Sequence, residues 1–165
     1  MIENRTTENR TIANEFILAA VTQSGRLLAH VKEEQTPEIC LAAVTQDGFA
    51  LTFVNEQTPE LCLKAVTQNG HALAFVKEQT PEICLAAVTQ NGWVLQNVKE
   101  QTPEICLAAV TQCGDALRFV KEQTPEICLA AVKENEYAIE FVEPQIKALI
   151  KPKSLIARIW DSIFK

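Results

Sequence analysis

The chain has 165 residues, 47% of them hydrophobic, and a formal net charge of −6 at neutral pH. That length supports one domain with a real core, and five glycines with 6% aromatics exclude collagen-like and low-complexity chains. No apolar run approaches the roughly 20 residues that span a bilayer, and the acidic balance argues against direct binding of nucleic acid.

Residues 1–12 are polar and state ENRT twice. They lack the apolar centre of a secretory signal and are expected to form a disordered or poorly ordered lead. Two glycosylation patterns within them, Asn4-Arg5-Thr6 and Asn9-Arg10-Thr11, then carry no meaning.

Residues 13–145 repeat themselves, with units at 13–35, 36–57, 58–79, 80–101, 102–123 and 124–145. In the unit TPEICLAAVTQDGFALTFVNEQ, Thr36 suits an N-cap and Pro37 the first helical position. Glu38 sets negative charge against the helix dipole, and Leu41-Ala42-Ala43 has strong helix propensity. Gly48 is expected to stop the helix in a left-handed conformation. The apolar run Ile39–Val44 covers nearly every face, so this helix must be packed on several sides.

The segment after Gly48 reads two ways. Leu51 and Val54, three apart, suit a brief second helix, whereas Phe49, Leu51 and Phe53 alternate as in a strand. The helical reading makes each unit a helix-turn-helix. Units of this size bury their apolar faces only by stacking. The fold class is therefore all-α, a helical-hairpin repeat solenoid. The first and last units are degenerate, with Asn14-Glu15 where Pro37-Glu38 stand and Glu136 in the glycine slot.

The recurring pattern T-P-E-[IL]-C-L-x-A-V-T-Q-x-G-x-A-L-x-F-V resembles a family of short helical repeats, a domain of unknown function found in bacterial, phage and giant-virus proteins. The resemblance implies an architecture and an interaction role. It brings no catalytic residue, cofactor or ligand.

Cys40, Cys62, Cys84, Cys106 and Cys128 fall 22 residues apart. Stacked helices lie about 8–10 Å apart, beyond the roughly 7 Å between Cα atoms that a disulfide tolerates. Buried, reduced thiols in a cytoplasmic protein are expected, with Cys113 more exposed in a turn. No C-x-x-C cluster suggests a metal. His30 and His71 both occupy varying positions, and no phosphate loop or nucleophile elbow occurs. The chain reads as no enzyme, without cofactor or metal.

Because most positions are constant between units, the exceptions mark candidate contacts. The slot after the glycine runs Arg26, Phe49, His71, Trp93, Asp115, Tyr137. Three residues on, Gln96 and Arg118 stand out, and the next slot runs His30, Phe53, Phe75, Asn97, Phe119, Phe141. Aromatics and Arg anchor interfaces, so the column reads as a recognition strip for another protein. A loosely constrained turn would also tolerate variation.

A second surface is acidic. Glu34, Glu56, Glu78, Glu100 and Glu122 precede each Thr-Pro, and Glu38, Glu60, Glu82, Glu104 and Glu126 follow it. Such an edge could imitate a nucleic-acid backbone and inhibit a nucleic-acid-handling protein, as a phage or mobile element would encode. Favourable placement at helix N-termini explains the same residues, and Lys32, Lys77, Lys99 and Lys121 dilute the stripe.

Residues 146–165 leave the repeat. Leu155, Ile156, Ile159, Trp160 and Ile163 fall at helical spacing beside Lys153, Arg158 and Lys165. This basic amphipathic helix is expected to cap the solenoid; resting residues 153–165 on an anionic membrane is the alternative. Removing 146–165 separates the two: loss of a cap lowers the melting temperature, whereas loss of an anchor abolishes liposome binding and leaves stability unchanged.

Overall fold

A computed structural model describes residues 2–150. It comprises α1 (Ile2–Gln23), α2 (Pro37–Gln46), α3 (Pro59–Gln68), α4 (Pro81–Gln90), α5 (Pro103–Gln112), α6 (Pro125–Glu134) and α7 (Pro144–Leu149). Between them lie six short 3-10 helices: η1 (Gly25–His30), η2 (Gly48–Phe53), η3 (Gly70–Phe75), η4 (Gly92–Asn97), η5 (Gly114–Phe119) and η6 (Glu136–Phe141). The described residues contain no strand, so the alternating reading of the second segment is not realised.

Local chemistry starts each helix where the sequence does. Thr36, Thr58, Thr80, Thr102 and Thr124 each accept, through Oγ1, the amide of the residue three further on at 3.3 Å, with Pro next in line. One residue then ends the α-helix and begins the 3-10 turn. The Asp47 amide donates to Ala43 O at 2.9 Å, and its carboxylate accepts from Phe49 N at 2.9 Å. Asn69, Asn91 and Asn135 act likewise, while Cys113 offers no side-chain cap.

Along the second segment one row of buried positions recurs every third residue, with Ala50 and Ala72 buried beside it. Gly48, Leu51 and Val54 are buried, as are Gly70, Leu73 and Val76, the spacing at which 3-10 side chains eclipse. The α-helices contribute Ile39, Cys40, Ala43, Val44 and their equivalents to the same continuous core. Successive α-helices contact one another, as do successive 3-10 helices, giving two stacked layers.

The glycines do not act as expected. None has a positive φ, so no left-handed residue ends a helix. Their role is close approach: a Cβ on Gly92 would sit 2.4 Å from Ala109 O in the following unit. The glycine amide donates across the same junction, Gly48 N to Gln68 Oε1 at 2.7 Å and Gly70 N to Gln90 Oε1 at 2.8 Å.

A second stitch runs through the glutamine before each Thr-Pro. Gln79 donates through Nε2 to Asn97 O at 2.9 Å and accepts from Lys99 N at 3.0 Å, tying the end of one unit to the end of the next. Gln57, Gln101 and Gln123 repeat both bonds, and Gln35 adds a bond back to Val31 O at 2.8 Å.

Both ends differ from expectation. Helix α1 runs back to Ile2, through the segment read as a poorly ordered lead. Residues 2–23 contain no glycine or proline, and Ala13-Asn14 stand where Thr-Pro would open a new helix. At the other end α7 starts at Pro144 rather than 146, because its Pro and buried Ile146 repeat the Pro125–Ile127 pattern after a shortened link. It packs on α6. Lys153, Leu155, Ile156, Arg158, Ile159, Trp160, Ile163 and Lys165 lie outside the described residues.

Replacing Gly92 by Ala should destabilise the protein by about 2–3 kcal/mol, since its Cβ meets backbone rather than a mobile side chain. Thermal melting should fall by roughly 5–10 °C; an unchanged melt would remove close approach as the reason for glycine.

Candidate functional site

The variable slot is the second residue of each 3-10 helix, and its side chain lies beside the turn of the following unit. Arg26 Nε pairs with Asp47 Oδ2 at 2.8 Å. Asn91 Nδ2 lies 2.9 Å from His71 Nε2, a bond accepted by the tautomer protonated on Nδ1. Asn135 Nδ2 donates to Asp115 Oδ1 at 2.7 Å. Phe49 meets the edge of Phe75 at 5.9 Å, and Trp93 that of Phe119 at 5.5 Å. The slots therefore form a row, and much of the row is occupied by contacts within the array.

Repeats four to six carry the densest cluster. The Arg118 guanidinium lies 6.0 Å from the Trp93 ring, 5.8 Å from Phe119 and 4.8 Å from Phe141. Cation–π contacts of this kind stabilise by about 0.5–1 kcal/mol at exposed sites. Trp93 remains 37% exposed and Tyr137 68%. Gln96 is exposed. Phe75, Phe119 and Phe141 join the strip from the third varied slot, where recurring aromatics were the signal in the sequence.

The ten glutamates of the acidic edge are exposed except Glu34, which is half-buried. None is in an ion pair: Arg26–Asp47 is the single salt bridge among the described residues. The lysines that dilute the stripe turn elsewhere. Lys77, Lys99 and Lys121 donate through Nζ to Asn55 O, Lys77 O and Lys99 O, at 3.1, 3.1 and 2.9 Å. Sequence reasoning missed this lysine ladder and the glutamine stitch, although both recur in register. Between units two and three the edge forms a groove of about 560 Å³ whose lining includes Glu33, Glu38, Glu56, Glu60, Leu41 and Leu61.

Against known proteins, a family described as a domain of unknown function (DUF4116) matches residues 36–80, 58–101, 80–124 and 102–147, in register with the units. The chain belongs to this family. No curated protein and no solved structure matches it. No helix among the described residues is long and apolar enough to cross a membrane.

The cysteine column is buried in the core, with Cys40 at the wall of the acidic groove. Cys40, Cys62, Cys84, Cys106 and Cys128 are free and buried, each directing Sγ to the neighbouring glutamine Oε1 at 3.4–3.8 Å. Burial pushes all five thiols up, and the charge of Glu143 helps carry Cys128 to about 11. Nucleophilic chemistry needs the thiolate, which these positions disfavour. Cys113 is half-buried. At pH 8 a disulfide reagent should therefore modify one thiol rapidly, lost in Cys113→Ser, and all six only after denaturation. Rapid labelling of the recurring cysteines in the folded protein would contradict their burial.

Proposed function

We propose that this member of the DUF4116 family is a non-enzymatic scaffold that binds another protein along the variable face of its 3-10 helices. The observation carrying this reading is the Trp93–Arg118–Phe119–Phe141 cluster, with Tyr137 exposed in the same 3-10 helix as Phe141. Trp, Tyr and Arg are the side chains that most often dominate interface energetics. Holding Arg118 against three rings reduces the rotamer freedom lost on binding. Arg26, His71 and Asp115 already have partners in the next unit, so they shape the strip while the aromatic cluster supplies affinity. The unbridged thiols suit a reducing, cytoplasmic setting.

The acidic edge supports a second reading, inhibition of a nucleic-acid-handling protein through its basic cleft. Its basis is the row of glutamates without ion-pair partners.

Affinity capture with the full chain, followed by binding measurements on the identified protein, tests both. Tyr137→Ala, at a largely exposed position, should weaken binding by about 2 kcal/mol, roughly 30-fold in Kd, while leaving the melt unchanged. Trp93→Ala should do the same with a small loss of stability. Raising ionic strength should matter little. Steep weakening by salt, with both aromatic variants binding normally, would overturn the strip and favour the acidic edge.

A further inference from the structure

At every internal junction one stripe of the α-helix faces the preceding unit. In α2 the stripe is Ile39, Ala43 and Gln46: Ala43 O lies against Gly25, and Gln46 Oε1 accepts the Gly25 amide at 2.6 Å. Counting back 23 residues, the same stripe in α1 is Phe16, Ala20 and Gln23. Ile39 and its counterparts Leu61, Ile83, Ile105 and Ile127 are at most 7% exposed, whereas Phe16 is 75% exposed. Ile12, one turn earlier, is 48% exposed, and Leu27 is 40% exposed where its counterpart Ala50 is fully buried. A cavity of about 480 Å³ opens beside them, with Ile17, Ala20 and Leu27 in its wall together with the charged Lys32, Glu33 and Glu34. The outward face of the first unit is thus an apolar junction surface with nothing stacked on it among the described residues.

We propose that this face is a dimer interface, seating the same face of a second copy of the chain. The opposite end of the array cannot take its place. Glu136 stands where Gly25, Gly48, Gly70, Gly92 and Gly114 stand in the other units. An added Cβ at any of those glycines would meet the next unit at 2.3–2.7 Å, so Glu136 blocks stacking of another unit in register, and α7 already packs on α6. Head-to-tail growth is excluded, and the pairing of like ends is a closed arrangement. The chain's own tail cannot cover it. Residues 151–165 leave Ile150 six stacked helices from α1, roughly 50 Å, a distance that 15 residues span only when fully extended, with no length left to lay an apolar helix on this face.

The stripe also fits itself. In an antiparallel pairing about a two-fold axis midway between Phe16 and Ala20, Phe16 falls on Ala20 of the partner subunit and the reverse contact follows by symmetry. A large side chain meets a small one twice, the arrangement that lets helix ridges enter facing grooves.

Light scattering after size exclusion of the full chain, over micromolar concentrations, tests this. The wild type should show twice the 18.3 kDa chain mass. Phe16→Glu and Leu27→Glu should each run as monomers with unchanged circular dichroism, Phe16 being too exposed to matter for the monomer's fold. Trp160→Glu, in the tail, should remain dimeric. A monomeric wild type, open-ended oligomers, a dimer that survives both face variants, or one lost in Trp160→Glu would each overturn the proposal. None of these results depends on whether the 3-10 face binds a partner.

Discussion

Each junction of this array closes on backbone contact that a side chain would prevent. At Gly48 an added Cβ would lie 2.6 Å from Ala65 O, and at Gly25 2.3 Å from Ala43 O. The glycine amide spends its hydrogen bond across the gap, on the glutamine that ends the next α-helix or, at Gly114, on Glu134. Spacing and register are fixed together: shifting the units apart would lose both the packing and a bond from a buried donor, whose loss alone costs about 1–3 kcal/mol. The small residues facing the glycine follow from the same constraint, since Ala43, Ala65, Ala87, Ala109 and Ala131 are all fully buried.

The constraint also explains how the array can vary without coming apart. The slot after the glycine changes from Arg to Phe, His, Trp, Asp and Tyr, but its neighbour in the next unit provides a compatible contact. Arg26 faces Asp47, His71 faces Asn91, and Asp115 faces Asn135. The turn residue thus serves twice, capping its own 3-10 helix and meeting the preceding slot. Cys113 forgoes the cap, and the slot before it holds Trp93, which makes its contact with Phe119 instead.

Caps and period made most of the fold legible. Thr-Pro-Glu states a helix start in local chemistry, and the 22-residue return states the stacking. What escaped reading depended on neighbours rather than on local preference. A glycine that ends a helix and a glycine that admits a backbone look alike in one chain, and only the contact with Ala109 O distinguishes the second at Gly92. The glutamine before each Thr-Pro passes for a polar linker until its two backbone partners, some 18 and 20 residues on, are brought to it. The aromatic strip was half visible: Trp93 and Tyr137 stood out, while Phe119 and Phe141 joined only when the third slot folded against the first.

Under the proposed binding role, recognition would be confined to what the junctions leave free. Threonine, proline, glycine, cysteine and both glutamines of a unit are committed to caps, close approach or backbone bonds. The slots after the glycine escape, and on a 3-10 helix residues three apart eclipse, so each unit sets a short file of side chains over one edge of the stack. The cluster around Arg118 belongs to no single unit. It takes Trp93 from the fourth, Arg118 and Phe119 from the fifth and Phe141 from the sixth. The four internal units, 36–57 to 102–123, in another order would keep their glycine contacts and glutamine bonds yet present a different surface, so in the proposed scaffold the order of nearly identical copies, rather than any one of them, would carry the information for a partner.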